Sequence, residues 1–191
     1  QRQMCIRDRK GSSLDAEFMI DMGAMYEPAF VEGHEYYRII THFFLHFGLE
    51  HLVNNMIALL VLGYTLEQDI GRIRYLILYM LSGILSGFVS VYVNWSLGEN
   101  VVSCGASGAI YGLMGALLMV LLKNRKQIVR GDIIRFGIYL VLSLYSGMQD
   151  SGIDNTAHLS GAVIGFILCG VLYRRTVSYT HLRAHETGRN L

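Results

Sequence analysis

Ser107 stands in the tetrad Gly105-Ala106-Ser107-Gly108. A serine hydroxyl attacks a carbonyl carbon only when a neighbouring base takes its proton. His158, in Ala157-His158-Leu-Ser-Gly161, is the histidine placed to be that base. His51 and Asn55 lie four residues apart, on one face of a helix. Both can donate side-chain hydrogen bonds to an oxyanion, beside backbone N–H groups at the start of a helix opening on Ser107. No Asp or Glu is an obvious third member next to His158, so another group must orient the imidazole. Tyr111 is a candidate, because it follows Ser107 by four residues and shares its helix face. Together these are the parts of an acyl-transfer site. Singly, each has a plainer reading. The His51 and Asn55 pair can bind each other or nearby backbone. Gly105 and Gly108, like Gly161-x-x-x-Gly165, can be small-residue helix contacts. A lone His158 can be a satisfied interior histidine.

These groups come from distant parts of the chain, so the elements between them must bring them together. The chain has 191 residues, 52% hydrophobic and 16% charged, against about 25% charged in an average soluble domain. Mean hydropathy is +0.37. One proline and 21 glycines suit close-packed membrane helices. Five apolar stretches, about 51–66, 75–95, 105–122, 133–149 and 156–173, approach the roughly 17–25 residues that a span needs. Five buried helices of a soluble protein is the alternative, but the connections are short and no amphipathic outer face is present. The expected fold class is therefore an all-α membrane protein, with five transmembrane helices in this chain. Residues 10–50 are mixed in character and read as an extramembrane segment with short amphipathic helices.

Loop charges orient the bundle. Arg72 and Arg74 follow the first stretch, Lys123, Arg125, Lys126, Arg130 and Arg135 the third, and Arg174 and Arg175 the fifth. These alternate connections belong on one side, which should be cytoplasmic. The opposite loops lack Lys and Arg and carry Glu99, Asp150 and Asp154. The first, third and fifth stretches then start on the outer side, which brings His51, Asn55, Ser107 and His158 to one level. Residues 106–122 make about 25 Å of helix, less than the roughly 30 Å hydrocarbon core. Ser107 is thus expected below the outer surface, where a dipping loop 94–105 must line a water cavity. The expected location is a bacterial plasma membrane, with the site opening to the extracytoplasmic side. Asn94-Trp95-Ser96 is formally a glycosylation sequon and is read as a chance match.

Several functions are disfavoured. A net charge of +1 leaves no basic excess for nucleic acid. Cys5, Cys104 and Cys169 form no CxxC pair, and the latter two read as small packing residues. His42, His46 and His51 suggest a metal-transporter fragment, yet no carboxylate or thiolate joins them at membrane depth. Neither a metal nor another cofactor is implied. The ends, QRQMCIRDR at 1–9 and VSYTHLRAHETGRNL at 177–191, resemble translated sequencing adapters and are set aside from the fold.

The constellation resembles the rhomboid family of intramembrane serine proteases. The likeness rests on Gly105-Ala106-Ser107-Gly108 with Tyr111, His51-Leu-Val-Asn-Asn55, and Ala157-His158 followed by Gly161 and Gly165. The run Tyr37-Arg38-Ile-Ile-Thr-His-Phe-Phe-Leu-His46 and Leu62-Gly63 with Glu67 also fit, with Tyr37 where tryptophan is more usual. The similarity covers about residues 12–175 and implies a protease domain over 10–176. It implies a six-helix core whose first helix should precede residue 10 and is absent, as in a gene fragment cut at both ends. It also implies a Ser107–His158 dyad without a carboxylate. His51, Asn55 and the Ser107 backbone would form the oxyanion hole, and Tyr111 would support His158. The implied partners are the lipid bilayer and membrane-anchored protein substrates cut in or near a transmembrane helix. A non-proteolytic relative that binds or guides membrane proteins is the alternative, though such relatives generally lack the serine or the histidine.

Overall fold

The computed structural model describes residues 11–126, 128–148 and 153–173. The adapter-like ends, and with them Cys5, Arg174 and Arg175, lie outside the described residues, as does Asp150. The segment before the long helices folds as short helices α1 (Ala16–Met22), α2 (Glu27–Val31) and α3 (Arg38–Thr41), the last running into a 3₁₀ turn at His42–Phe44. Asp15 caps α1 by accepting from Phe18 N, and Gly23 ends it at φ +105. Arg38 holds the segment together by donating to the Ile20 and Ala24 carbonyls, at 2.7 Å each.

Five long helices follow: α4 (Gly48–Ile70), α5 (Arg72–Leu97), α6 (Ser107–Lys123), α7 (Arg130–Met148) and α8 (Asn155–Leu172). They stand at the five apolar stretches with corrected bounds. The first is longer than 51–66 because Thr65, Glu67, Gln68 and Asp69 continue the helix beyond its apolar run. The third starts at Ser107 rather than 105 because Gly105 has φ +124, outside any helix. One feature was absent from the sequence reading. Met25–Tyr26 (β1) pairs antiparallel with Val102–Ser103 (β2), in the register Met25 to Ser103.

The fold is an all-α membrane bundle. Among the described residues, α4, α5 and α8 are long and apolar enough to cross a membrane, and α6 is apolar but shorter. Helix α7 carries Asp132 and Arg135 in its first turns. Helix α6 is the centre. It buries Gly108, Ala109, Ile110, Gly112, Leu113, Met114, Gly115, Ala116 and Val120. Leu113, Ala116 and Val120 pack with Leu66, Ile70, Leu78 and Cys169 from three neighbouring helices. A short central helix is wrapped by longer ones, so its ends need not reach either surface.

Glycines set the closest contacts. A Cβ on Gly161 would run into the Gly108 carbonyl, and one on Gly165 into the Gly112 carbonyl. Helices α6 and α8 therefore lie parallel and in register, backbone against backbone, as small residues permit. Lys123 continues that register at the far end, donating to the Gly170 carbonyl at 2.6 Å.

Candidate active site

Ser107 opens α6, and the backbone before it is held from two sides. Gly105 N donates to the His42 carbonyl at 2.8 Å. A Cβ at Gly105 would lie 2.8 Å from His51 Cε1 and 3.4 Å from Asn55 Nδ2. Glycine is thus required there twice, for the positive φ and for room beside two polar side chains. The first two turns of α4 present His51 and Asn55 together, and Asn55 is buried. Gly108 leaves space for Ser86, whose Oγ a Cβ would meet at 2.6 Å.

His158 lies one turn into α8, whose N-terminus Asp154 caps by accepting from Ala157 N at 2.9 Å. Because α6 and α8 are parallel and in register, both helix starts fall at one level. His158 Nε2 and Ser107 Oγ are 2.8 Å apart. The Tyr111 ring stacks on the imidazole, with centroids 4.3 Å apart and planes inclined by 26°. The Tyr111 hydroxyl in turn meets Ser143 Oγ on α7 at 2.7 Å. His158 is only 8% exposed. Its Nδ1 and the Asn55 Nδ2 are buried without a hydrogen-bond partner among the described residues. An imidazole that accepts the serine proton at Nε2 must carry its other hydrogen on Nδ1.

His51, Asn55, Ser107, Tyr111, Ser143 and His158 share a cavity of about 1270 Å³. Buried donors around a serine–histidine pair are suited to acyl transfer, since an amide N–H without an acceptor is ready for a developing oxyanion. Other groups nearby do not match that chemistry. Cys104 also lines the cavity, but burial pushes its thiol up to about 12, so it supplies no thiolate. Burial holds the His42 and His46 imidazoles below their usual range. His42 Nδ1 is bonded to the Arg38 carbonyl at 2.8 Å, and His46 packs edge-on against His51. No group of three His, Cys, Asp or Glu is placed to hold a metal among the described residues.

The sequence reading named Ser107, His158, His51, Asn55, Tyr111 and Gly105, and all six come together here. Gly108, Gly161 and Gly165 lie in the α6–α8 contact beneath them. The reading missed Ser143, Asp154 as a cap, and a buried row on α5: Ser82, Ser86, Ser90 and Asn94. Their spacing of four in an otherwise apolar helix was the available signal. The Asn94 amide is buried and bonded to Glu27 and Ser90, so the sequon is sequestered inside the bundle.

Known proteins resemble this chain over most of its length. Residues 33–175 match the family model described as Rhomboid domain. Rhomboid protease GluP of Bacillus subtilis (strain 168) is 34% identical over 162 residues, covering 85% of this chain and 31% of GluP. RHOMBOID-like protein 5 of Arabidopsis thaliana is 40% identical over 159 residues, 81% of this chain and 49% of the relative. The putative rhomboid protease YdcA of Bacillus subtilis (strain 168) is 34% identical over 134 residues, 70% of this chain and 66% of YdcA. The chain thus spans less than half of the length of each of the first two relatives.

Proposed function

The chain belongs to the rhomboid family, and from that premise we propose that it is a serine endopeptidase acting inside the membrane. The observation that carries the proposal is the 2.8 Å contact between Ser107 Oγ and His158 Nε2 at the buried end of two glycine-packed helices. In the proposed reaction His158 Nε2 takes the hydroxyl proton as Ser107 Oγ bonds to the scissile carbonyl carbon. The resulting oxyanion is met by the Asn55 amide, the His51 ring and the backbone N–H groups that open α6. Collapse expels the amine, which takes the proton from His158. A water then gives a proton to His158, attacks the acyl-serine and releases the acid, and the proton returns to Ser107. Tyr111 keeps the imidazole plane facing Ser107, a task that a carboxylate performs in other serine proteases.

The substrates that fit are membrane-anchored proteins, because the cavity lies among helices whose outer faces are apolar. The basic connections Arg72–Arg74 and Lys123–Arg135 favour a cytoplasmic position for the far end, so the site opens on the other side. Retention of both Ser107 and His158 counts against the non-proteolytic alternative. Reconstituted protein with a fluorescent transmembrane reporter tests the reading. Ser107→Ala and His158→Ala are each expected to abolish cleavage, and Asn55→Ala to slow it by about 10²-fold, as loss of one oxyanion donor does. Cleavage by Ser107→Ala at the wild-type rate would refute the mechanism.

A further inference from the structure

Glu27 is 1% exposed, yet it plays no part in the acyl-transfer geometry. It is the first residue of α2 and directly follows β1. Its Oε2 accepts from Val101 N at 2.8 Å and its Oε1 from Asn94 Nδ2 at 3.2 Å. The Asn94 amide also lies 3.1 Å from Ser90 Oγ, and the Ser90 hydroxyl donates to Asp154 Oδ2 at 2.6 Å. One unbroken chain of hydrogen bonds therefore runs from the segment entering Ser107 to the cap of the helix carrying His158. Helix α5 is the bracket between them.

A carboxylate buried in this way is poorly explained by stability. Burial pushes the Glu27 carboxyl above its usual range, against the pull of its N–H donors, and Asp154 is the charged group facing it. Apolar replacements of buried charges are often neutral or stabilising. Geometry offers a better reason. Helix α5 ends at Gly98, and the chain must reach Ser107 through an extended segment. That segment is fixed at Val101 by Glu27, at Val102 and Ser103 by β1, and at Gly105 by the His42 carbonyl. Glu27 is the anchor that also touches the α5 bracket.

We propose that Glu27 is a positioning residue for the acyl-transfer reaction: its carboxylate clamps Val101 and Asn94 together and so sets the Ser107 end of the site relative to the Asp154-capped His158 helix. This rests on the Ser107–His158 reading. An error of about 1 Å in such a setting can cost about 10²-fold in rate.

The test is Glu27→Gln in the reconstituted protein, which keeps the shape but turns an N–H₂ toward one of two donors. Hydrogen exchange is followed in peptides covering residues 99–106, a readout that does not need activity. Cleavage is measured per fluorophosphonate-titrated site. Exchange is expected to rise about tenfold, and kcat to fall about tenfold with KM within twofold. In E27Q/N94D the amide and the carboxylate trade places, so Val101 N and the residue-27 amide each regain an acceptor while the donation from residue 94 to Ser90 is lost, and part of the lost kcat should return. Should E27Q fail to accumulate as folded protein, Asn94→Ser carries the same readouts, with the same pattern expected. Unchanged exchange over 99–106, unchanged kcat per titrated site, or a double variant worse than E27Q would each overturn the proposal. Wild-type protein that neither cleaves nor labels would instead overturn the protease reading, while the exchange arm still reports whether Glu27 anchors Val101.

Discussion

Helices α6 and α8 meet through glycines, whereas α7 leans on the same pair through large side chains. In the first contact Gly108 faces Gly161 and Gly112 faces Gly165, with backbone atoms as the limiting surface. In the second, Leu140 packs on Met114 and Ala162, with Phe136 and Leu144 beside it, and Tyr111–Ser143 is the polar tie. Most of the remaining α7 surface is exposed and apolar, including Ile134, Ile138, Val141 and Leu142. The difference separates two tasks. The glycine seam leaves no slack, and Ser107 and His158 stand across one end of it. Helix α7 contributes Tyr139, Leu142, Ser143, Ser146 and Gly147 to the cavity wall.

The strongest test of this contrast is Gly161→Leu. Its side chain would meet the Gly108 carbonyl, which cannot step aside. Overpacking usually costs about 1–3 kcal/mol, and a backbone obstacle places this change at the upper end. Cleavage should be lost together with a clear fall in unfolding temperature, read by thermal denaturation. Tyr111→Ala comes next, because it removes the stack on His158 and the bond to Ser143. A fall in kcat of about 10–100-fold is expected from lost orientation, with some fall in unfolding temperature because the ring also packs beside Met114, Leu140 and Ala162. Ser143→Ala cuts the tie from the α7 side alone. One neutral hydrogen bond is worth about 0.5–1.5 kcal/mol, so kcat should fall by less than about tenfold. Ile138→Ala, on the exposed face of α7, should stay within about 0.5 kcal/mol and leave cleavage unchanged. If Ile138→Ala and Gly161→Leu had equal effects, the contrast between seam and wall would fail.

The seam was legible in the sequence and the bracket behind it was not. Apolar runs and alternating loop charges located the five helices, because lipid solvation constrains composition strongly. Gly161-x-x-x-Gly165 announced a close contact, and parity brought Ser107 and His158 to one level. The ends of α4 were hidden because polar residues continue a helix beyond its apolar run. The pairing of Met25–Tyr26 with Val102–Ser103 was hidden because two-residue strands carry no periodicity. The buried row Ser82, Ser86, Ser90 and Asn94 could have been read from its spacing of four. Its partners, Glu27 and Asp154, are distant in sequence, and only the folded chain brings them to it.

The most direct test of the account is fluorophosphonate labelling of the protein in a bilayer, with the adduct located by mass spectrometry. The account predicts one adduct on Ser107 in the wild type and loss of labelling in His158→Ala, because the hydroxyl is nucleophilic only while His158 Nε2 receives its proton. An unlabelled Ser107 in the wild type, or equal labelling with and without His158, would contradict it.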